Sequence, residues 1–423
     1  MTRTSAPLLR TLSPDEVPSL RRSPIDRQTL LAAGEIVDQV ESGAEPALRA
    51  IAERLGDRKP GEPLVIERDQ LDAALDATSA QDRAALERAA ASIERFAQAQ
   101  RYSIIDVSID AETPGTLGQQ VIPVDRAGCY APGGRFPLPS SVLMTSIPAR
   151  VAGVTSVTVA SPRPAPITLA AAAVAGADRL LAVGGAQAIA AMAFGVGVDP
   201  VDVIVGPGNR WVTAAKQLVS GSVRIDMLAG PSELVVIADD TADPAVVAAD
   251  LLAQAEHDTD AAAILVASSR SLIDRTNAEL ASQLADLPTA ATARAALDNG
   301  FAVLTDSNAD SAEIADRLAP EHLQIITKDA PVLAGSIRHA GAIFIGAHTA
   351  EVFGDYGLGP NHTLPTGGTA RSFAGLSVFD FLRIRTTIEL TESPSTRTVE
   401  SIARLARLEG LEAHARAAEI RLR

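Results

Sequence analysis

Residues 157–219 read VTVASPRPAPITLAAAAVAGADRLLAVGGAQAIAAMAFGVGVDPVDVIVGPGNRWVTAAKQLV, and the parsing of this stretch decides the fold. Three short apolar runs, VTVA (157–160), LLAV (180–183) and VDVIV (201–205), have the length of strands. Each is followed by a longer helical run: ITLAAAAVAGA (167–177), GAQAIAAMAFG (185–195) and WVTAAKQLV (211–219). Strands alternating with helices imply right-handed crossovers and a parallel sheet. A membrane span competes for part of the stretch, because the nineteen residues 180–198 carry no charge and that length crosses a bilayer. Four glycines, a glutamine and the flanking βα units favour a buried strand, turn and helix instead. No membrane partner is expected.

The alternation resumes with ELVVIAD (233–239), AAILVAS (262–268), FAVLTDS (301–307), LQIIT (323–327) and GAIFIG (341–346), separated by helical segments. The expectation is therefore an α/β protein with two Rossmann-like parallel-sheet units, one over 125–231 and a second from 232 to about 347. Upstream, the first hundred residues read as helices, one carrying Leu86, Ile93 and Phe96 at helical spacing. Downstream, a Gly- and Pro-rich loop, GDYGLGPNHTLPTGGTA, leads into a tail from Arg371 that ends in a helix. Phe373, Phe379 and Phe381 are expected to anchor this tail against another surface.

At 423 residues the chain should hold two or three domains, and 47% apolar residues are ample for their cores. Aromatic residues make up only 3%, so the core is expected to be Ala, Val, Leu and Ile. A formal charge of −15 argues against a nucleic-acid partner, which needs clustered Lys and Arg. The first residues, MTRTSAPLLRTLSPDEV, contain no long apolar run, so no signal peptide and a cytoplasmic location are expected. The single cysteine, Cys129, excludes an intrachain disulfide and a Cys-based zinc cage, and is expected to pack beside Tyr130.

No GxGxxG follows a strand, and neither a P-loop nor HExxH occurs. Instead three glycine turns each carry one polar residue: Tyr130 in GCYAPGG, Gln187 in GGAQ and Asn209 in GPGN. Glycine lets backbone approach a ligand closely, and open α/β sheets bind ligands at the carboxyl ends of their strands. A ligand crevice is expected there.

Four of the six histidines have an acid or amide close by, whereas His339 and His348 stand alone and are expected on the surface or in loops. His257 follows Gln254 at the end of a helix whose apolar stripe runs through Val247 and Leu251, so Gln254 should be buried and needs a partner. A favourable histidine at a helix C-terminus and an amide bonded to a loop would also explain the pair. His257, His414, Asp355 and Gln254 are hard or borderline N/O donors suited to zinc or manganese, although spacing alone favours a metal site without the glutamine. Glu409 and His414 lie ~140° apart on an ideal helix, so they share a site only if Gly410 bends it or the site is broad. Glu321 and His322 are adjacent in APEHLQII and suit general acid–base work; a capped helix end before a strand is the competing reading.

The chain resembles the histidinol dehydrogenases from about residue 120 onward. The resemblance rests on GCYAPGGRFPLPSSVLM, GGAQAIAAMAFG, VDVIVGPGN, IDMLAGPSE, DLLAQAEHD, APEHL, GDYGLGPNHTLPT and EGLEAH taken together. It implies two incomplete Rossmann-like units in a tail-exchanged homodimer. The corresponding division is an N-terminal segment 1–27, a helical part 28–124, an NAD-binding unit 125–231, a zinc and catalytic unit 232–370, and a tail 371–423 reaching the partner's site. It also implies zinc-dependent oxidation of L-histidinol to L-histidine through the aldehyde, with two NAD⁺, as the last step of histidine biosynthesis. Carried over by position, one Zn²⁺ per subunit would be held by Gln254, His257, Asp355 and, from the other chain, His414. Substrate would meet Ser232, His322, His362, Glu409 and the metal ligands. NAD⁺ would meet Tyr130, Gln187 and Asn209, and Glu321 and His322 would be the catalytic pair.

Ala253 departs from the family, where serine is frequent, but lies off the ligand face. Glu321 and His322 precede their strand, so either that strand is antiparallel or the loop reaches inward. In the implied mechanism zinc mainly orients substrate, His322 takes the alcohol proton and Glu321 activates water. The alternatives are a dehydrogenase of another small polar alcohol such as a sulfonated diol, which Glu409 would repel, a zinc hydrolase, or a binding protein without turnover.

Overall fold

The computed structural model describes residues 7–19, 25–133 and 136–422. Part of the expected 1–27 segment, and Gly134 and Arg135 of the GCYAPGGRFPLPSSVLM motif, lie outside the described residues. Among the described residues no helix is long and apolar enough to cross a membrane. The stretch 180–198 instead contributes a buried strand and the helix Gly185–Phe194.

Two six-stranded, mainly parallel sheets carry the fold. The first runs in the order Val65–Glu67 (β2), Arg179–Leu181 (β7), Ser156–Ala160 (β6), Arg126–Tyr130 (β5), Val203–Val205 (β8) and Arg224–Ile225 (β9). The second runs Thr11–Leu12 (β1), Phe301–Leu304 (β12), Ala262–Ala267 (β11), Glu233–Ala238 (β10), His322–Ile326 (β13) and Ala342–Ile345 (β14). In each, apart from one early edge strand (β2 or β1), the chain starts in the middle, winds outward through two strands, then crosses back to the other side. Strand order therefore reverses between β5 and β8 and between β10 and β13.

Both sheets are buried on both faces, which is why their strands read as unbroken apolar runs. Alternate residues serve opposite cores. Cys129 packs on one face of the first sheet and Tyr130 on the other; Leu234 and Val236 face one core of the second sheet, Val235 and Ile237 the other. Cys129 is fully buried, as a packing residue should be.

Several elements differ from the sequence-based expectation. The antiparallel option for Glu321 and His322 fails, because β13 pairs in parallel with both β10 and β14. The supposed all-helical start contributes β1, a parallel edge beside β12, and β2, an antiparallel edge beside β7. The tail contributes a strand that the sequence reading did not place: Leu382–Leu390 (β15) pairs antiparallel with Gly115–Pro123 (β4), which pairs with Val107–Asp110 (β3). Of the three tail phenylalanines, Phe381 is fully buried within its own chain, in the core under the first sheet. Phe373 and Phe379 are exposed, as is Phe96, whose helix Ala80–Tyr102 buries Leu86 and Ile93 instead. A helix carries about 100° of apolar stripe per core-facing surface, and Phe96 falls at its edge.

Candidate active site

The second sheet presents its chemistry at the amino edge of its strands. Glu321 and His322 open β13, and Ser232 and Glu233 open β10. The helix after β10, Pro244–Ala255, runs back to the same edge, so its C-terminus arrives beside the strand starts. Asp243 caps that helix and Pro244 occupies its first turn, while Val247, Leu251 and Gln254 form its buried stripe. His257 lies beyond the C-cap residue Glu256, exposed rather than on the helix face. The first sheet presents the carboxyl ends of its strands, where Pro207 and Asn209 follow β8. A cleft of about 930 Å³ lies between the two edges, with Ser141, Pro207 and Asn209 on one wall and Ser232, His257, Glu321, His322, Asp355 and His362 on the other.

Glu321 is tightly held. Its Oε2 accepts from the Ser232 hydroxyl at 2.7 Å and from the Glu233 backbone N–H at 2.9 Å. Burial raises the Glu321 pKa to about 7, against the pull of those donors. Beside it, His322 Nδ1 lies 3.6 Å from Glu321 Oε2 and 3.4 Å from Glu351 Oε1. Burial pushes the imidazole down to about 4, with Asp355 opposing, so His322 is neutral near pH 7. His362 is held down to about 4 in the same way. It lies 3.9 Å from Asp355 Oδ1 through Nδ1 and 3.5 Å from Ser141 Oγ through Nε2.

A second group gathers beside this pair. Ligand atoms of His257, Glu351 and Asp355 lie within 4.8 Å of one another. Burial raises the pKa of Glu351 well above the usual carboxylate value, and that of Asp355 as well. Among the described residues neither Glu351 oxygen has a hydrogen-bond partner, and the amide nitrogen of fully buried Gln254 has none. The other end of that amide, Oε1, lies 3.5 Å from the Ser232 hydroxyl, whose proton is turned to Glu321. The two buried carboxyls call for a cationic partner, and an imidazole with two carboxylates and the oxygen of the Gln254 amide forms a hard donor set that fits zinc or manganese.

The three residues expected at the dinucleotide line one cavity of about 390 Å³, together with Asp57 and Trp211. Gln187 donates to Asp57 at 3.0 Å, and the Gly185 N–H donates to the Tyr130 hydroxyl at 3.2 Å. Burial pushes the Tyr130 phenol up to about 12, so it keeps its proton. Asn209 caps the helix Arg210–Val219, accepting from the N–H groups of Trp211 and Val212, and lines both this cavity and the main cleft.

Glu409 and His414 do not join these groups within one chain. Glu409 ends the helix Thr396–Leu408, Gly410 turns the chain with φ +76°, and His414 lies in the next helix, Glu412–Glu419. Both residues are exposed, and neither lines the cleft. His348 is exposed and His339 half-buried, consistent with loop positions. The sequence reading missed Glu351, Glu233, Asp57 and Ser141. Only Glu351 carried a usable signal, since it sits four residues before Asp355, on the same helical face.

Comparison with known proteins gives one consistent result. A family model described as histidinol dehydrogenase matches residues 21–422. The histidinol dehydrogenase of Thermus thermophilus is 50% identical over 341 residues, covering 80% of this chain and 82% of its own. That of Parasynechococcus marenigrum is 44% identical over 394 residues, covering 92% and 90%. The crystal structure of histidinol dehydrogenase from Elizabethkingia anophelis superposes with a TM-score of 0.92 at 31% identity, covering 99% of each chain.

Proposed function

The chain belongs to the histidinol dehydrogenase family, a family of oxidoreductases, and from that membership we propose that it oxidises L-histidinol to L-histidine in four electrons, through the aldehyde. The observation that carries the reading is the pairing of a neutral histidine with a clamped glutamate, His322 and Glu321, in the same cleft as the cation-fitting group of His257 and Asp355. We read the two sheets as incomplete Rossmann-like units. Zinc would be held by Gln254, His257, Asp355 and His414 of the partner subunit, with Tyr130, Gln187 and Asn209 holding NAD⁺. When bound, zinc supplies Lewis acidity that fixes the substrate, and NAD⁺ supplies the hydride acceptor for both oxidations.

His322 accepts the alcohol proton as the first C–H bond breaks, a role open to it because its imidazole is neutral. Glu321, once ionised, takes a proton from the water that adds to the aldehyde carbon. Ser232 and the Glu233 N–H already occupy its Oε2, so Oε1 receives the proton. Ser232, His362 and the partner's Glu409 contact the substrate in this reading, and Glu409 suits an imidazole N–H.

The test follows reduced nicotinamide by absorbance with histidinol and NAD⁺ as substrates. Two NADH should form per histidinol consumed, with little free aldehyde. One NADH with aldehyde released would sink the four-electron reading. Replacing Glu321 with Gln should slow aldehyde oxidation more than alcohol oxidation; equal losses would remove Glu321 from the water-activating role.

A further inference from the structure

Glu233, one residue past Ser232, is buried and lies outside the roles assigned above. Its carboxylate Oε1 accepts from the Glu321 backbone N–H at 3.3 Å and from the Gly367 N–H at 3.1 Å. In return Glu321 Oε2 accepts from the Glu233 N–H at 2.9 Å. The first N–H groups at the amino edge of a parallel sheet have no strand partner, and buried donors need one. Here each glutamate side chain satisfies the other's backbone, across the pair β10 and β13, whose register sets Leu234 beside His322.

We propose that Glu233 is a positioning residue for the water-activating step, holding Glu321 in place through this reciprocal pair of carboxylate-to-backbone hydrogen bonds. The inference rests on Glu321 being the base of aldehyde oxidation. Glu233 does not line the cleft; it fixes the backbone of Glu321 from below and, through Gly367, ties the loop after the second sheet to the same point. The carboxylate that meets water is thereby fixed at both its backbone and its bonded oxygen, and a displacement of ~1 Å at such a group costs about 100-fold in rate.

Three substitutions separate positioning from bulk stability. Glu233→Gln keeps an oxygen able to accept from both N–H groups. Glu233→Ala removes it; a cavity of about 380 Å³ borders Ser232 and Glu233 and can admit water to the freed donors, which favours a folded variant. Glu233→Asp keeps the carboxyl group but lacks the reach. The zinc-loaded dimer is assayed with histidinal, then with histidinol and an aldehyde trap, alongside zinc content and melting temperature. In the Ala and Asp variants kcat for histidinal should fall ~10- to 100-fold, with its KM and the zinc content kept and alcohol oxidation far less affected. NADH per histidinol should fall from two towards one, and the Gln variant should stay within about threefold of wild type.

Equal loss of both half-reactions, or an Asp variant with full histidinal activity, would overturn the proposal, as would a Gln variant no better than Ala. If Ala does not fold, Asp and Gln decide it. Glu321→Gln runs in parallel. If that change spares aldehyde oxidation, the base assignment falls and this inference with it. If it abolishes the step while the Glu233 series does not, only the positioning role falls.

Discussion

Gln254 poses the problem of the site in a single side chain: a fully buried amide, on a stripe otherwise of Val and Leu, with its nitrogen unpartnered. Burial of such a group without compensation costs ~1–3 kcal/mol, and nearby Glu351 and Asp355 are buried acids with raised pKa values. A bound cation would offset the burial of the two carboxyls and be ligated by the amide oxygen of Gln254, not its nitrogen, which leads to a test by metal removal. In metal-free protein, Glu321, Glu233, Glu351 and Asp355 have folded pKa values above their unfolded ones, Glu321 at about 7 and Glu233 at about 8. Each binds a proton in the folded state that the unfolded chain has released, so their contribution to stability is present at low pH and lost as pH rises through the folded values. The gap in melting temperature between zinc-loaded and chelated protein should therefore widen from about pH 5 to about pH 8. A gap that stays constant would mean that no cation sits among these carboxyls. His257→Ala should lower metal content in the same preparation. The glutamine and the histidine were legible in the sequence because they break an apolar pattern. Glu233 was not, because an acid at the start of a strand looks like a solvated end until the neighbouring strand is known to begin beside it.

The secondary structure was legible where burial is two-sided and the apolar run unbroken, as in β6, β8, β10 and β11. It was hidden where a strand is short or lies at an edge: β1 has two residues, β2 three, and β15 is largely exposed. The direction of approach was hidden too, since strand starts are functional only when a returning helix delivers its C-terminus to them. The loop Gly206–Asn209 shows how an element is held for its task. Gly206 has φ +115°, and a Cβ there would lie 2.1 Å from the Tyr130 carbonyl oxygen, so the loop can only carry glycine at this point. A buried ion pair locks the same residue: Asp226 accepts from the Gly206 N–H at 2.7 Å and from Lys216, whose ammonium also donates to the Gly206 carbonyl at 3.1 Å. Removing one member of a buried pair costs ~3–5 kcal/mol. The two members should not be equivalent. Asp226→Ala strands a buried ammonium, whereas Lys216→Met leaves a carboxylate still bonded to the N–H groups of Gly206 and Met227. Denaturant unfolding should show the larger loss for Asp226→Ala, and both variants should raise the KM for NAD⁺ through the displaced loop. Equal destabilisation, or an unchanged KM, would count against this account.

At the scale of the whole molecule, the site joins opposite ends of two sheets, the carboxyl edge of the first and the amino edge of the second. A search confined to carboxyl ends would have found Tyr130, Gln187 and Asn209 and missed the acid–base pair. In the proposed reading, however, one chain supplies only part of the site, because His414, the fourth zinc ligand, and Glu409, a substrate contact, stand exposed on a helical tail away from the cleft. That tail also exposes Ile402, Leu405 and Leu408, each more than half accessible. Apolar surface of this kind marks an interface, and a two-fold dimer with exchanged tails would cover it while completing each site with the partner's histidine. The arrangement makes a quantitative prediction. One chain carries His257→Ala and another His414→Asn. Each homodimer lacks a ligand in both sites and should be nearly inactive. In the heterodimer, the body of the second chain meets the tail of the first, which gives one intact site and one doubly damaged site. Random pairing of equal amounts makes half the dimers mixed, so activity should recover to about a quarter of wild type when sites act independently. If each tail serves its own chain, every site stays broken and nothing is recovered. Purified heterodimers that fold normally and remain inactive would therefore exclude the exchanged tail, and zinc content would show which half of the ligand set had failed.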